Sequence, residues 1–115
     1  MANIRLDAMK LTRTERSVLR SLVQTLKTEL GAKHVVLYGS AARGSLDRES
    51  DIDLLVVLPF VDWEVEKRVG RLAFDAGLEI DRVVSTLCFS EDEIKQSFRQ
   101  TSPLLQNIRR EGVML

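Results

Sequence analysis

The chain has 115 residues, and its 17 basic and 17 acidic residues give a formal net charge of zero. A neutral chain lacks the positive charge that broad nucleic-acid binding requires, so no strong nucleic-acid partner is expected. A single cysteine excludes an internal disulfide and fits a reducing compartment, which predicts a cytoplasmic protein. No apolar run approaches the length of a membrane span. The length predicts a single domain over residues 1–115.

The first predicted helix is marked at both ends. Residues 1–11 show no clear period and are a candidate flexible arm. Thr12 and Glu15 match a capping box, in which each side chain bonds the other residue's backbone. Apolar residues at helical spacing follow, and Gly31 stands where a left-handed residue commonly ends a helix. A helix between Thr12 and Gly31 is therefore predicted.

Two strands joined through a glycine turn form the centre of the predicted fold. His34–Tyr38 is a short apolar strand, and Gly39-Ser40 leads into about one helical turn before a polar loop. Asp51–Leu58 is the second strand. Because its later part is nearly all apolar, we expect it to be buried on both faces.

A second helix and a third strand are predicted next. Asp62 can cap a helix that closes at Gly77. Leu78–Phe89 then has the composition of a strand, and the alternation of side chains would place Glu79 and Asp81 on one face. Both carboxylates would lie near the start of this strand.

The end of the chain predicts two more helices. Ser90 and Glu93 match a second capping box, and Ser102 with Pro103 marks the start of the last helix, before Gly112. The three residues after Gly112 are apolar and either pack internally or onto a partner. Helices alternate with few strands, so we predict an α/β (α+β) fold, a small mixed β-sheet covered by helices.

Two carboxylates open the second predicted strand. Asp51 and Asp53 point to one side of it and Ile52 to the other. Like charges this close repel each other, and a divalent cation is the usual compensation, since Mg²⁺ prefers one or two carboxylates plus substrate phosphates. Gly39-Ser40 before a helix start offers N–H groups that suit phosphate. Each feature alone is commonly structural, but together they indicate nucleotide chemistry.

The same residues carry a resemblance to a known family. Gly39-Ser40, ten intervening residues and Asp51-x-Asp53 resemble the signature of the polymerase β-type nucleotidyltransferase superfamily, and in so short a chain its minimal nucleotidyltransferases. The resemblance implies that fold and an enzyme that transfers a nucleoside monophosphate, AMP from ATP, to a hydroxyl with two Mg²⁺ ions. It also implies a toxin–antitoxin system, in which this chain is the antitoxin of a HEPN-domain toxin and modifies that toxin.

The resemblance assigns roles to particular carboxylates. It implies that Asp51 and Asp53 bind both metal ions. A third carboxylate usually lies on an adjacent strand, and Asp81 matches that position, where it would bind the catalytic metal and help to deprotonate the acceptor hydroxyl. Glu79 shares its predicted face and is the rival for this role.

Three further residues are candidates for binding the triphosphate. Gly39 lets the backbone approach the phosphates, Ser40 can donate its hydroxyl and N–H, and Arg43 can reach the same phosphates as a bidentate donor. Two other functions stay open. The chain could mask its toxin without catalysis, or modify a small molecule of the aminoglycoside kind in a site that homodimerisation completes.

Overall fold

A computed structural model describes residues 10–45, 47, 49–99 and 102–115, except for the side chains of residues 97–99. Most of the candidate arm at residues 1–11 lies outside the described residues, although Leu11 is buried in the core. In the described part of the chain, no helix combines the length and apolar character needed to cross a membrane. The elements are α1 (Arg13–Glu29), β1 (His34–Tyr38), α2 (Ser40–Arg43), β2 (Ile52–Leu58), α3 (Trp63–Ile80), β3 (Val84–Ser90), α4 (Glu91–Arg99), α5 (Pro103–Glu111) and β4 (Val113–Met114).

The strands form one mixed sheet in the order β3-β2-β1-β4. Strand β1 pairs antiparallel with both β2 and β4, whereas β2 and β3 run parallel. A parallel pair needs a crossover connection, and α3 supplies it between β2 and β3. The small mixed sheet predicted from the sequence is thus confirmed.

Both faces of the sheet are covered by helices. Leu54 and Val56 of β2 belong to a core cluster that includes buried residues of α1 and α3. Leu55 and Val57 face the other way and belong to a second cluster with residues of α4 and α5. The predicted burial of this strand on both faces is confirmed.

The predicted capping boxes are present. The Glu15 backbone N–H donates to the Thr12 hydroxyl at 3.0 Å, and the Thr12 N–H donates to the Glu15 carboxylate at 2.8 Å. Gly31, just beyond α1, has a φ of 70°. At the start of α4 the same reciprocal pair joins Ser90 and Glu93, at 3.1 and 3.2 Å. These helix starts depend on local sequence, which is why the sequence predicts them.

The last residues of the chain pack internally. Strand β4 pairs with β1, and the Leu115 N–H donates to the Val35 carbonyl at 2.9 Å. The Lys27 ammonium group donates to the Leu115 carbonyl at 2.8 Å. The alternative that the sequence left open is therefore decided in favour of internal docking.

The predicted strand over Leu78–Phe89 is wrong in its first part. Helix α3 continues past Gly77 and ends on Asp81, which adopts a left-handed conformation with a φ of 52°. Gly77 lies inside the helix, where a Cβ would be 2.4 Å from the Arg82 carbonyl oxygen. The glycine is thus required for a close approach of backbone, and Asp81, a residue type that tolerates this conformation, ends the helix.

The two glycines of α3 provide a matched test of this packing. Nothing lies within 4 Å of a Cβ added at Gly70, so Gly70→Ala should raise the free energy of unfolding by about 0.5–1 kcal/mol. Gly77→Ala should lower it by about 1–3 kcal/mol, because the methyl group meets backbone. Urea unfolding followed by circular dichroism measures both. Equal stability of the two variants would contradict the described contact.

Candidate functional site

The turn after β1 touches a carboxylate of β2. Tyr38, the last residue of β1, is paired with Asp53. Gly39 follows with φ 74° and ψ −150°, a conformation that is essentially restricted to glycine. A Cβ on Gly39 would lie 2.5 Å from Oδ2 of Asp53. Only a glycine therefore lets the turn and this carboxylate lie against each other.

Asp51 and Asp53 differ in their surroundings. Asp51 directly precedes β2 and is exposed, whereas Asp53 is half-buried. Burial raises the pKa of Asp53, and the negative charge of Asp51 raises it further, while the positive charge of Arg43 opposes both. The repulsion between the two carboxylates that the sequence predicts is therefore present.

This pair of carboxylates suits a magnesium ion that also binds substrate phosphates. Carboxylate oxygens are hard ligands, and Mg²⁺ is usually held by one or two of them together with phosphate oxygens and water. Among the described residues, no group of three or more His, Cys, Asp or Glu side chains could hold a metal ion. The donor set therefore fits an ion shared with a bound nucleotide, and three carboxylates around two ions are not assembled in that part of the chain.

The two candidates for a third ligand are not on the sheet. Glu79 lies on α3, and Asp81 is the residue that ends this helix, so their predicted place on a strand is wrong. On β3, the residue paired with Asp53 is Ser85, which offers a hydroxyl and no carboxylate. Asp81 thus lacks the strand position from which its metal-binding role is predicted, and the Asp81→Asn substitution tests that role.

The other candidate phosphate-binding residues, Ser40 and Arg43, lie on the short helix that follows Gly39. Ser40 begins α2 directly after Gly39, and Arg43 is its last residue. Nη1 of Arg43 lies 3.6 Å from Oε2 of Glu111, with 51% and 37% of the two side chains exposed. An ion pair this exposed contributes little stability. Arg43 can therefore exchange Glu111 for a phosphate group at low cost.

A cleft adjoins these residues on the side of α5. It has a volume of about 210 Å³ and lies next to Gly39 and Arg43, with Leu104 and Asn107 on its α5 wall. Tyr38 also lines it, and burial and the charge of Asp53 raise the pKa of its hydroxyl. The cleft was not predicted, because it forms only when α5 packs beside the end of β1.

Two charged residues near the site were missed in the sequence. Glu111 contacts Arg43, and Arg82 contacts Glu15 and the loop before Asp51. Glu15 and Arg82 are 67 positions apart, so no local pattern connects them. Only the packing of α1 against the end of α3 reveals this contact.

The candidate site thus consists of a glycine turn against the Asp53 carboxylate on a small mixed sheet, which suits an enzyme that transfers nucleotides. The chain belongs to the nucleotidyltransferase domain family, whose profile matches residues 19–107. This result confirms the family resemblance and the assignment as a nucleotidyltransferase enzyme.

Curated relatives include two proteins of Methanocaldococcus jannaschii that are provisionally named protein adenylyltransferase. One is 31% identical over 104 residues, which cover 88% of this chain and 97% of the relative. The other is 31% identical over 84 residues, covering 70% and 84%. A bifunctional uridylyltransferase/uridylyl-removing enzyme of Burkholderia vietnamiensis is 35% identical over 77 residues, 63% of this chain. The chain spans only 9% of the length of that enzyme.

Solved structures share the fold. A toxin–antitoxin structure with AMP-PNP superposes with a TM-score of 0.57 at 21% identity, over 82% of this chain and 69% of that one. A mutant of the toxin–antitoxin pair MntA-HpeT gives the same TM-score and identity, over 84% and 70%. At this identity the likeness establishes the fold alone.

The raised pKa of Asp53 predicts how metal-free stability depends on pH. Between the ordinary value of 3.8 and the raised value, the folded protein binds more protons than the unfolded chain. The stability associated with this residue is present below that window and lost as pH rises through it. Asp53→Asn should therefore be more stable than wild type at neutral pH, and the difference should shrink in acid.

Urea unfolding in the presence of a chelator, at neutral and at acidic pH, measures this difference. Asp75→Asn is the control, because Asp75 is an exposed carboxylate on α3 that pairs with Arg71. A metal-free Asp53→Asn that is less stable than wild type at neutral pH would contradict the description of this carboxylate.

Proposed function

We propose that this protein uses Mg²⁺ to transfer AMP from ATP to a hydroxyl group on a partner protein. The observation that supports this most is the close approach of Gly39 and Asp53, which brings a turn suited to phosphate against a carboxylate suited to metal. The relatives that are provisionally named protein adenylyltransferase give further support, since one matches over 97% of its length.

Each candidate residue has a distinct task in this proposal. Asp51 and Asp53 would hold the metal, which supplies charge neutralisation for the triphosphate. Gly39 leaves room for the phosphates to approach the backbone. Ser40 donates hydrogen bonds to them, and Arg43 binds them as a bidentate cation.

The reaction is a direct displacement at phosphorus. The acceptor hydroxyl oxygen bonds to the α-phosphorus while the bond from that phosphorus to pyrophosphate breaks, and pyrophosphate leaves with the electrons of the broken bond. The hydroxyl proton passes to the Asp53 carboxylate or to water.

We propose further that the acceptor belongs to a HEPN-domain toxin and that this protein is its cytoplasmic antitoxin. Two structures with the same fold are toxin–antitoxin assemblies, one of them with a nucleotide analogue. The protein also has surface suited to a partner, since Phe74, Leu78 and Val83 are large, apolar and exposed beside one groove.

Label transfer tests the chemistry. Protein, Mg²⁺ and a co-expressed HEPN toxin are incubated with ATP radiolabelled at the α-phosphate and, in parallel, with labelled UTP. We expect label from ATP on the toxin. Asp51→Asn and Asp53→Asn should each reduce transfer by more than about 100-fold, since loss of an outer partner of a metal ligand already costs about 10–100-fold. Asp75→Asn, a matched exposed carboxylate, should be unaffected.

The same assay separates the other functions. Full neutralisation of the toxin by the Asp51→Asn/Asp53→Asn double variant, without any label, would identify an antitoxin that only masks. Label from UTP in place of ATP would contradict the proposed nucleotide; a uridylyltransferase relative makes this comparison necessary. Label on an added aminoglycoside would indicate a small-molecule acceptor.

The role of Asp81 is tested by Asp81→Asn, which keeps a residue type that tolerates the left-handed conformation. We expect label transfer to change by less than about threefold, since surface substitutions away from special features shift free energies by about 0.5 kcal/mol. No third carboxylate joins Asp51 and Asp53 among the described residues. A loss as large as that of Asp53→Asn would instead assign Asp81 to the metal.

A further inference from the structure

Arg82 lies just after α3, and its side chain is almost fully enclosed, with 10% exposed. Its guanidinium group contacts two segments that are distant in sequence. It donates to the carboxylate of Glu15, at the start of α1. It also donates to the backbone carbonyls of Asp47 at 2.6 Å and Ser50 at 2.8 Å, in the loop that leads into β2.

Glu15 and Arg82 form a charged pair with little access to water. Only 8% of the Glu15 side chain is exposed. Burial by itself raises the pKa of Glu15, but the Thr12 backbone N–H and the Arg82 guanidinium outweigh it, so that the pKa is lowered. A buried charge must be paired and hydrogen-bonded to be tolerated, so this contact fixes the position of the guanidinium group.

Asp47 and Ser50, in the loop that Arg82 contacts, are bonded to each other as the two ends of a turn. The Ser50 N–H donates to the Asp47 carbonyl at 3.3 Å, and the Ser50 hydroxyl donates to the Asp47 carboxylate at 2.9 Å. The Asp47 N–H in turn donates to the Ser50 hydroxyl at 3.1 Å. Because Asp47 and Ser50 are bonded to each other, holding their two carbonyls holds both ends of the turn together.

Asp51 lies between two fixed points of the backbone. On one side the Ser50 carbonyl accepts from Arg82 at 2.8 Å. On the other side the Ile52 N–H donates to the Val83 carbonyl at 2.9 Å. Asp51 itself is exposed and precedes the strand, so these two contacts, made by the residues on either side of it, fix the backbone position from which its carboxylate extends.

We propose that Arg82 is a positioning residue, which fixes Asp47 and Ser50, the two ends of this turn, against Glu15 and thereby places Asp51 for metal binding. This inference rests on the proposed function, in which Asp51 and Asp53 hold a divalent ion. Groups that orient metal ligands commonly contribute 10–100-fold to metal affinity. A guanidinium group suits the task because its planar fork can donate to several acceptors at once.

Binding of Mn²⁺, which carboxylates hold much as they hold Mg²⁺, tests the inference without the reaction. Titration of the purified protein, followed by electron paramagnetic resonance of free Mn²⁺, should show about tenfold weaker binding for Arg82→Met than for wild type. Arg82→Lys should fall between them, since an ammonium group keeps the charge but not the fork. Arg68→Met is the control, because Arg68 pairs with Glu29 on the exposed surface.

Hydrogen exchange provides a second measurement that does not depend on metal. The amides of Ser50 and Ile52 should exchange faster in Arg82→Met than in wild type, while those of β1 should be unchanged. Unchanged exchange at both amides would overturn the inference. Faster exchange with unchanged Mn²⁺ affinity would overturn it as well, because the turn would then be held without any effect on the ligand.

Failure of this inference can be distinguished from failure of the proposed function. If wild type binds Mn²⁺ and Asp51→Asn does not, but Arg82→Met binds as wild type does, only the inference is wrong. If wild type does not bind Mn²⁺ either alone or together with a non-hydrolysable ATP analogue, the metal site and the inference are both wrong. The same holds if Asp51→Asn and Asp53→Asn bind Mn²⁺ as well as wild type does. Should Arg82→Met not fold, Arg82→Lys and Glu15→Gln replace it, with weaker Mn²⁺ binding expected for each.

Discussion

Strand β2 is buried on both faces, and much of the architecture follows from this constraint. Residues 54–58 have almost no contact with water, so helices must cover the strand from both sides. Helices α1 and α3 do so on one face, and α4 and α5 on the other. The only charged residues at this strand are Asp53 and, just before it, Asp51, so the candidate site can form only at its N-terminal end.

The site is assembled at a cost to the stability of the fold. Asp53 is half-buried beside a like charge, and Gly39 adopts a conformation that other residues rarely reach. Electrostatic repulsion of this kind persists where the surrounding structure imposes it, and it is concentrated at functional sites. A divalent cation with bound phosphates would relieve the repulsion, which gives the unfavourable arrangement a physical purpose.

Contacts between distant parts of the chain position other residues of the candidate site. Glu15 of α1 reaches Arg82 after α3, and Glu111 of α5 reaches Arg43 beside the glycine turn. The first contact is enclosed and fixes a backbone turn, whereas the second is exposed and can be exchanged for a ligand. The two ion pairs therefore differ: one holds the loop before Asp51, and the other leaves the guanidinium group of Arg43 accessible to solvent.

Features that depend on neighbouring residues could be predicted from the amino-acid sequence. Capping boxes, the buried strand and the spacing from Gly39 to Asp53 are local patterns, and they predicted most helices and strands, the nucleotide chemistry and the family. The other features depend on contacts between distant segments. From the sequence, Gly77 has the features of a helix end, which predicts that Asp81 lies on the following strand. In the structure, Gly77 lies inside α3 because the Arg82 carbonyl packs against it, and Asp81 ends the helix. Whether a residue ends a helix, joins a sheet or holds a distant loop depends on contacts that separate segments make only after folding.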